Sequence, residues 1–210
     1  MPATACTASS VTGNYFDVLG LVPAAGRLLA PADDITPGAH PVVVLSESFW
    51  KRRFGSDLSV VGSAVRMNTH LFTVVGVAPR GFHGTNFDEV PDVWIPLAMA
   101  EQVSPNLAQF KPFVRRGFTW VNPFGRLKEG VPASAALAQL DTVNARIISE
   151  LKLSTKGDRY TRFRVLPMRE ALVEPSRLGE VARSSWILIA VTGLVLVIAR
   201  SEEHTSELQS

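Results

Sequence analysis

The sequence predicts an α+β fold: a mixed sheet domain with one long amphipathic helix, followed by the start of a transmembrane helix. Three observations point there. Short β-branched runs and helical stripes follow one another without a regular strand–helix–strand repeat. Residues 132–151 repeat apolar side chains every three or four positions. Residues 186–199, WILIAVTGLVLVIA, are fourteen residues without a charge.

The composition excludes several classes. The chain has 210 residues, 46% hydrophobic and 19% charged. A disordered chain would be poorer in apolar and richer in charged residues. Fifteen Gly and fourteen Pro, spread without a period, exclude collagen and low-complexity sequence. A formal net charge of +2 is too weak to argue for nucleic acid. The single cysteine, Cys6, excludes a disulfide framework and a cysteine-based zinc site.

Taken in order, the opening MPATACTASS lacks Lys and Arg and is followed by no apolar core, so it is not a signal peptide. Residues 13–20 read as a strand end entering a short helical turn. Residues 21–29 contain Pro23 and Gly26 and read as a loop packing Leu and Val inward. Pro31-Ala32-Asp33-Asp34 and Pro37-Gly38 are loop chemistry. PVVVL at 41–45 is a buried strand.

Ser46 suits an N-cap, Glu47 suits the first turn, and Phe49, Trp50 and Phe54 form an apolar stripe ended by Gly55. Residues 60–76 read as a hairpin or meander, with Val65-Arg66-Met67 and Phe72-Thr73-Val74-Val75 alternating around Asn68-Thr69-His70. Residues 76–82 leave the strand into a loop. Pro91 to Leu97 (PDVWIPL) is extended and, lying between prolines, is placed at a sheet edge.

Residues 100–117 are irregular and polar. Phe118 to Leu127 resumes strand character. Pro132 sits at the first helical position, and Ala136, Leu140, Val143, Ile147 and Leu151 line one face of about five turns. Arg146 and Glu150 form an i,i+4 pair in the weaker orientation. Arg162 to Pro167 is a last short strand, and residues 169–184 form an amphipathic linker into the apolar run.

That run is shorter than the roughly 20 apolar residues a membrane span needs, and it meets an acidic tail. The tail, RSEEHTSELQS at 200–210, matches at all eleven positions the in-frame translation of a common short-read sequencing adapter. It is read as that artefact rather than as a genuine polar tail, so the apolar segment is expected to continue in the natural protein. Without the tail's one Arg and three Glu, 20 basic and 16 acidic residues leave a net charge of +4.

No constellation for catalysis stands out. His40, His70 and His83 are isolated, and none lies in H-E-x-x-H. There is no phosphate-binding G-x-x-x-x-G-K-[ST] and no G-x-S-x-G, and Cys6 has no nearby His to activate it. The adjacent acids Asp33-Asp34 and Asp88-Glu89 could meet a hard cation, but read better as solvated loop charge. Lys51-Arg52-Arg53 could face an anionic partner such as a lipid head group, but reads better as the solvated face of a short helix. The four Trp are scattered with no basic strip between them, so single-stranded nucleic acid is unsupported. The expectation is therefore no catalytic residue, no cofactor and no metal.

Several long blocks, in the same order, resemble the extracytoplasmic core domain of MacB-like ABC transporter permeases. They are TGNYFDVLGLVPAAGRLLAPADD (12–34), PGAHPVVVLSESFWKRRFGSDLSVVG (37–62), VRMNTHLFTVVGVAPRGFHGT (65–85), PDVWIPL (91–97) and GRLKEGV (125–131). GFHGT and PDVWIPL resemble the duplicated permeases that lack a fused ATPase. One departure is Asn68-Thr69, where that family usually has Asn-Gly; the turn is expected to be less favourable or longer.

The resemblance implies residues 1–181 on the extracytoplasmic side of the bacterial inner membrane, with the first strands missing, and a truncated transmembrane helix at 186–199. Trp186 fits an interfacial anchor; Arg183 before it does not settle orientation. The implied role is mechanical. A separate ATPase subunit drives a permease, a second permease copy completes a dimer, and a periplasmic adaptor and membrane lipid are further partners. Phe49, Trp50, Phe72, Trp94 and Trp120 would make the domain rigid. The competing reading is a soluble or membrane-anchored periplasmic binding module with no transport role. A secreted hydrolase would need a catalytic group at Asp33 or Asp88.

Overall fold

The computed structural model describes residues 6–85, 90–113, 121–151, 163, 165–168, 183 and 186–193. The chain divides into two compact units, 1–165 and 166–210.

The first unit is built on one six-stranded mixed sheet. The strands are β1 (Ala8–Val11), β2 (Ala25–Gly26), β3 (Val42–Leu45), β4 (Ala64–Met67), β5 (His70–Val77) and β6 (Val93–Pro96). Their order is β1-β6-β3-β5-β2, with β4 pairing a different stretch of β5. β1 runs parallel to β6 and β3 parallel to β5, while β3–β6, β2–β5 and β4–β5 are antiparallel. The helices are α1 (Tyr15–Leu19), α2 (Glu47–Phe54), α3 (Ala100–Val103), α4 (Pro105–Ala108) and α5 (Ala133–Leu151). The expected α+β class and mixed sheet are both present.

Period-2 alternation sorts the core into two clusters. Val43, Leu45, Phe72, Val74, Val93 and Ile95 join Phe49, Val60 and Met99 in one cluster. Val44 and Trp94, from the same strands, join Val11, Tyr15, Phe16 and Leu29 in the other. A strand covered on both faces shows a continuous apolar run, which is why Val93-Trp94-Ile95 does not alternate.

That corrects the placement of residues 91–97. β6 lies inside the sheet, between β1 and β3, with all four residues buried. Its prolines are tolerated because Pro91 precedes the strand and Pro96 is its last residue, so neither removes a donor from its centre. Residues 21–29 are also more than a loop. Ala25–Gly26 pairs with Val77 and Gly76 of β5. Leu29 is buried, but Val22 is exposed instead of packing inward. A Cβ on Gly76 would collide with the backbone carbonyls of Arg27 and Ala25, so only glycine lets the two chains approach this closely.

α2 matches its sequence signals. Ser46 accepts from the Phe49 N–H at 3.2 Å, and the Gly55 N–H donates back to the last turn. The hairpin between β4 and β5 keeps two loop residues, because Met67 pairs directly with His70. The longer turn allowed for by Asn68-Thr69 is not observed. Asn68 has φ 52°, and Thr69 is not among the residues with positive φ, so the β-branched residue escapes the strained region. Asn68 also donates its side-chain N–H to the Val103 carbonyl at 2.9 Å.

Residues 100–113 are not irregular throughout. Ser104 caps α4 by accepting from the Leu107 N–H, and Pro105 takes the first helical position. Strand character expected at 118–127 is absent from its described part, 121–127. The strand expected at 162–167 is likewise absent from Phe163 and residues 165–167. Residues 114–120, 152–162 and 169–182 lie outside the described residues.

α5 starts one residue after Pro132, whose carbonyl accepts from the Ala136 N–H. Its better covered positions are Ala135, Ala136, Leu137, Asn144 and Ile148. Leu140, Val143 and Ile147 are exposed. Ala135 and Ala136 excepted, the covered line sits about a quarter turn from the expected stripe, as 100° per residue places Leu137, Asn144 and Ile148 together.

In the second unit, residues 186–193 are helical and their large apolar side chains are exposed. Thr192 returns its hydroxyl to the Leu188 carbonyl at 2.8 Å. Among the described residues, no helix is long and apolar enough to cross a membrane. Residues 194–210, including the rest of the apolar run, lie outside the description.

Candidate functional site

The charged groups singled out in the sequence are mostly engaged in holding the fold. Asp33 and Asp34 sit in a 3-10 turn at Pro31–Asp34, not on a solvated loop. Asp33 is buried. It takes both guanidinium nitrogens of Arg27, at 2.6 and 2.9 Å, and the Ala30 N–H at 2.9 Å. Burial opposes its charge, but those hydrogen bonds and the Arg27 charge outweigh it and hold the carboxyl below its ordinary range. Asp34 accepts from the Gly13 N–H at 3.1 Å and the Ala98 N–H at 2.7 Å, joining three segments. Both carboxylates thus serve as acceptors that tie backbone and guanidinium groups of separate segments together. Asp88 and Glu89 lie outside the described residues.

The basic triplet is likewise tied into α2 and its neighbours. Lys51 pairs with Glu47 at 2.6 Å, one turn back. Arg52 pairs with Asp92 at 2.7 Å and lies over the Phe49 ring, 5.5 Å from its centroid. Asp92 also accepts from the Thr7 N–H at 3.2 Å, so α2 is fastened to the start of both β1 and β6. This agrees with a structural reading of Lys51 and Arg52.

Cys6 lies beside this junction. Its exposed thiol is pushed up to about 11, first by partial desolvation and then by the Asp92 carboxylate. A thiol in that state is a poor nucleophile. His40, His70 and His83 are exposed and far apart in sequence; His70 lies 3.2 Å from the Thr69 hydroxyl, and His40 adds a favourable charge near Asp33. Among the described residues no group of three or more His, Cys, Asp or Glu could hold a metal ion.

The densest chemistry is aromatic. Trp94 packs between Phe16 and Phe82, at 5.8 and 5.3 Å between ring centroids. Tyr15 meets Phe16 edge-on at 5.1 Å and Phe124 edge-on at 5.4 Å. The Tyr15 hydroxyl donates to Thr85 at 3.2 Å, and burial raises its pKa. The Trp94 N–H is buried and unpartnered. Sequence reading identified Trp94 but missed Tyr15, Phe82 and Phe124, which are brought together from segments far apart in the chain. Trp120 lies outside the described residues.

Residues 2–143 match the family described as the MacB-like periplasmic core domain. No curated protein matches. Among solved structures, the periplasmic region of MacB from Actinobacillus actinomycetemcomitans is 21% identical, over 80% of this chain and 64% of that one, with a TM-score of 0.49. The extracellular domain of the noncanonic ABC-type transporter YknZ from Gram-positive bacteria is 21% identical, over 47% of each chain, with a TM-score of 0.38. The chain thus spans about half to two-thirds of the length of these solved regions. With the family match extending over most of its length, the chain belongs to the MacB-like periplasmic core domain family.

Proposed function

We propose that this chain is the extracytoplasmic domain of an ABC transporter permease subunit, and that it transmits ATP-driven motion for export or efflux across the cell membrane. The observation that carries the proposal is the family match over residues 2–143, joined to a sheet buried on both faces. A lever must convey displacement without absorbing it, and close-packed interiors are poorly compressible.

A separate subunit supplies the ATPase. A second permease copy completes the transporter, and a periplasmic adaptor is a further partner. Residues 1–181 are assigned to the extracytoplasmic side and residues 186–199 to the opening of a transmembrane helix in the inner membrane. The exposed apolar side chains of 186–191 and the Thr192 hydroxyl returned to its own helix both suit lipid. Residues 200–210 are assigned to adapter-derived sequence.

Reading the gene without interruption past Ala199 tests the assignment. Further apolar segments of spanning length and a neighbouring ATPase gene are the expected result. A frame that closes soon afterwards as a water-soluble protein contradicts it.

A further inference from the structure

Between the sheet and α5 the chain runs through residues 121–131, all exposed. This arm meets α1 at two points. Phe124 lies edge-on against Tyr15, at 5.4 Å between centroids. Arg126 donates from Nε and Nη2 to the Val18 carbonyl, at 3.4 and 3.3 Å. Val18 is in the last turn of α1, where carbonyls lack helical partners, and a guanidinium there serves as a cap.

α1 is itself firmly held. Phe16 is fully buried against Trp94, and Tyr15 is fixed by Thr85. Just beyond the contacts, the Lys128 carbonyl accepts from the Val131 N–H in a turn at Gly130, whose φ is 76° and where an added Cβ would meet nothing within 4 Å. α5 follows at once. The path from sheet to helix is therefore a braced anchor, two contacts, a turn and a long helix.

We propose that Phe124 and Arg126 are positioning residues of a joint that couples α5 to the sheet through α1, with the turn at Gly130 as its pivot. This rests on the transmission reading above and names where displacement enters the sheet. Neither side chain is part of the buried core, so their role is to fix the angle of the arm and not to fold the domain.

Paired spin labels test it on the full chain. With Cys6→Ser as background, nitroxides are attached at Leu58→Cys on the sheet unit and Gln139→Cys on α5. In the parent a narrow distance distribution is expected. Arg126→Ala and Phe124→Ala should each raise the population away from the main distance on the order of fivefold, the effect of one lost contact. Arg126→Lys should restore part of it. The thermal midpoint should stay within about 2 °C, as expected for surface substitutions.

A distribution unchanged in the double variant overturns the proposal. So does broadening that appears only together with a matching loss of thermal stability. The measurement needs neither ATPase nor substrate, so a failed joint is seen separately from a failed assignment as a transporter domain.

Discussion

At the scale of single residues, Trp94 is the strongest test of the core. It is fully buried and sits against Phe16 and Phe82. Trp94→Ala should cost about 3–5 kcal/mol, read by thermal or denaturant unfolding. Trp94→Phe should cost much less, because the buried N–H has no partner to lose. Asp33 tests the electrostatics. Its carboxyl is held below the ordinary value, so its contribution is present above the unfolded pKa and is lost as pH falls through the folded one. Asp33→Asn should lower stability by about 1–2 kcal/mol at pH 7, discounted because Arg27 is half exposed, and by progressively less below about pH 4. Equal losses at pH 7 and pH 3 would contradict this. Trp94 could be picked out from sequence because a Trp inside an apolar run marks a buried strand. The bonds of Asp33 and Asp34 could not. Asp34 reaches Ala98, 64 residues away, and no local pattern announces such a partner.

At the scale of elements, legibility followed locality. α2 was readable because its cap, stripe and terminal glycine all lie within ten residues, and Ser46→Ala should cost about 1 kcal/mol. The β4–β5 hairpin was readable from alternation, but the geometry of its turn was not. Asn68 alone takes positive φ and also bonds to Val103. Asn68→Ala should therefore cost about 1–2 kcal/mol. Thr69→Gly, which recreates Asn-Gly, should bring no stabilisation, because position 69 does not need positive φ here. A gain in the unfolding midpoint would show that the turn rearranges. β6 reads as an edge strand from its prolines, yet its continuous apolar run is that of a strand covered on both faces, and it lies between β1 and β3. β1 was not recognised at all: Ala8-Ser9-Ser10-Val11 has little strand signal, and its place is set by pairing with β6. The long α5 was recognised, but the side it turns inward was displaced, since periodicity finds an apolar face without saying which flank a neighbour will cover.

At the scale of the whole molecule, the family assignment was legible because it drew on long blocks in fixed order, whereas composition alone excluded classes without choosing one. In the proposed role the domain is a body moved by the ATPase of a separate subunit. The direct measurement is made on the intact permease assembled with its ATPase in lipid vesicles. One label is placed on the sheet unit at Leu58→Cys, a second at the same site of the other permease copy. Addition of ATP and magnesium should shift the distance between them, and an ATPase unable to hydrolyse should stop the cycle. A distance that ignores nucleotide while transport proceeds would contradict the claim that this domain moves with the transporter.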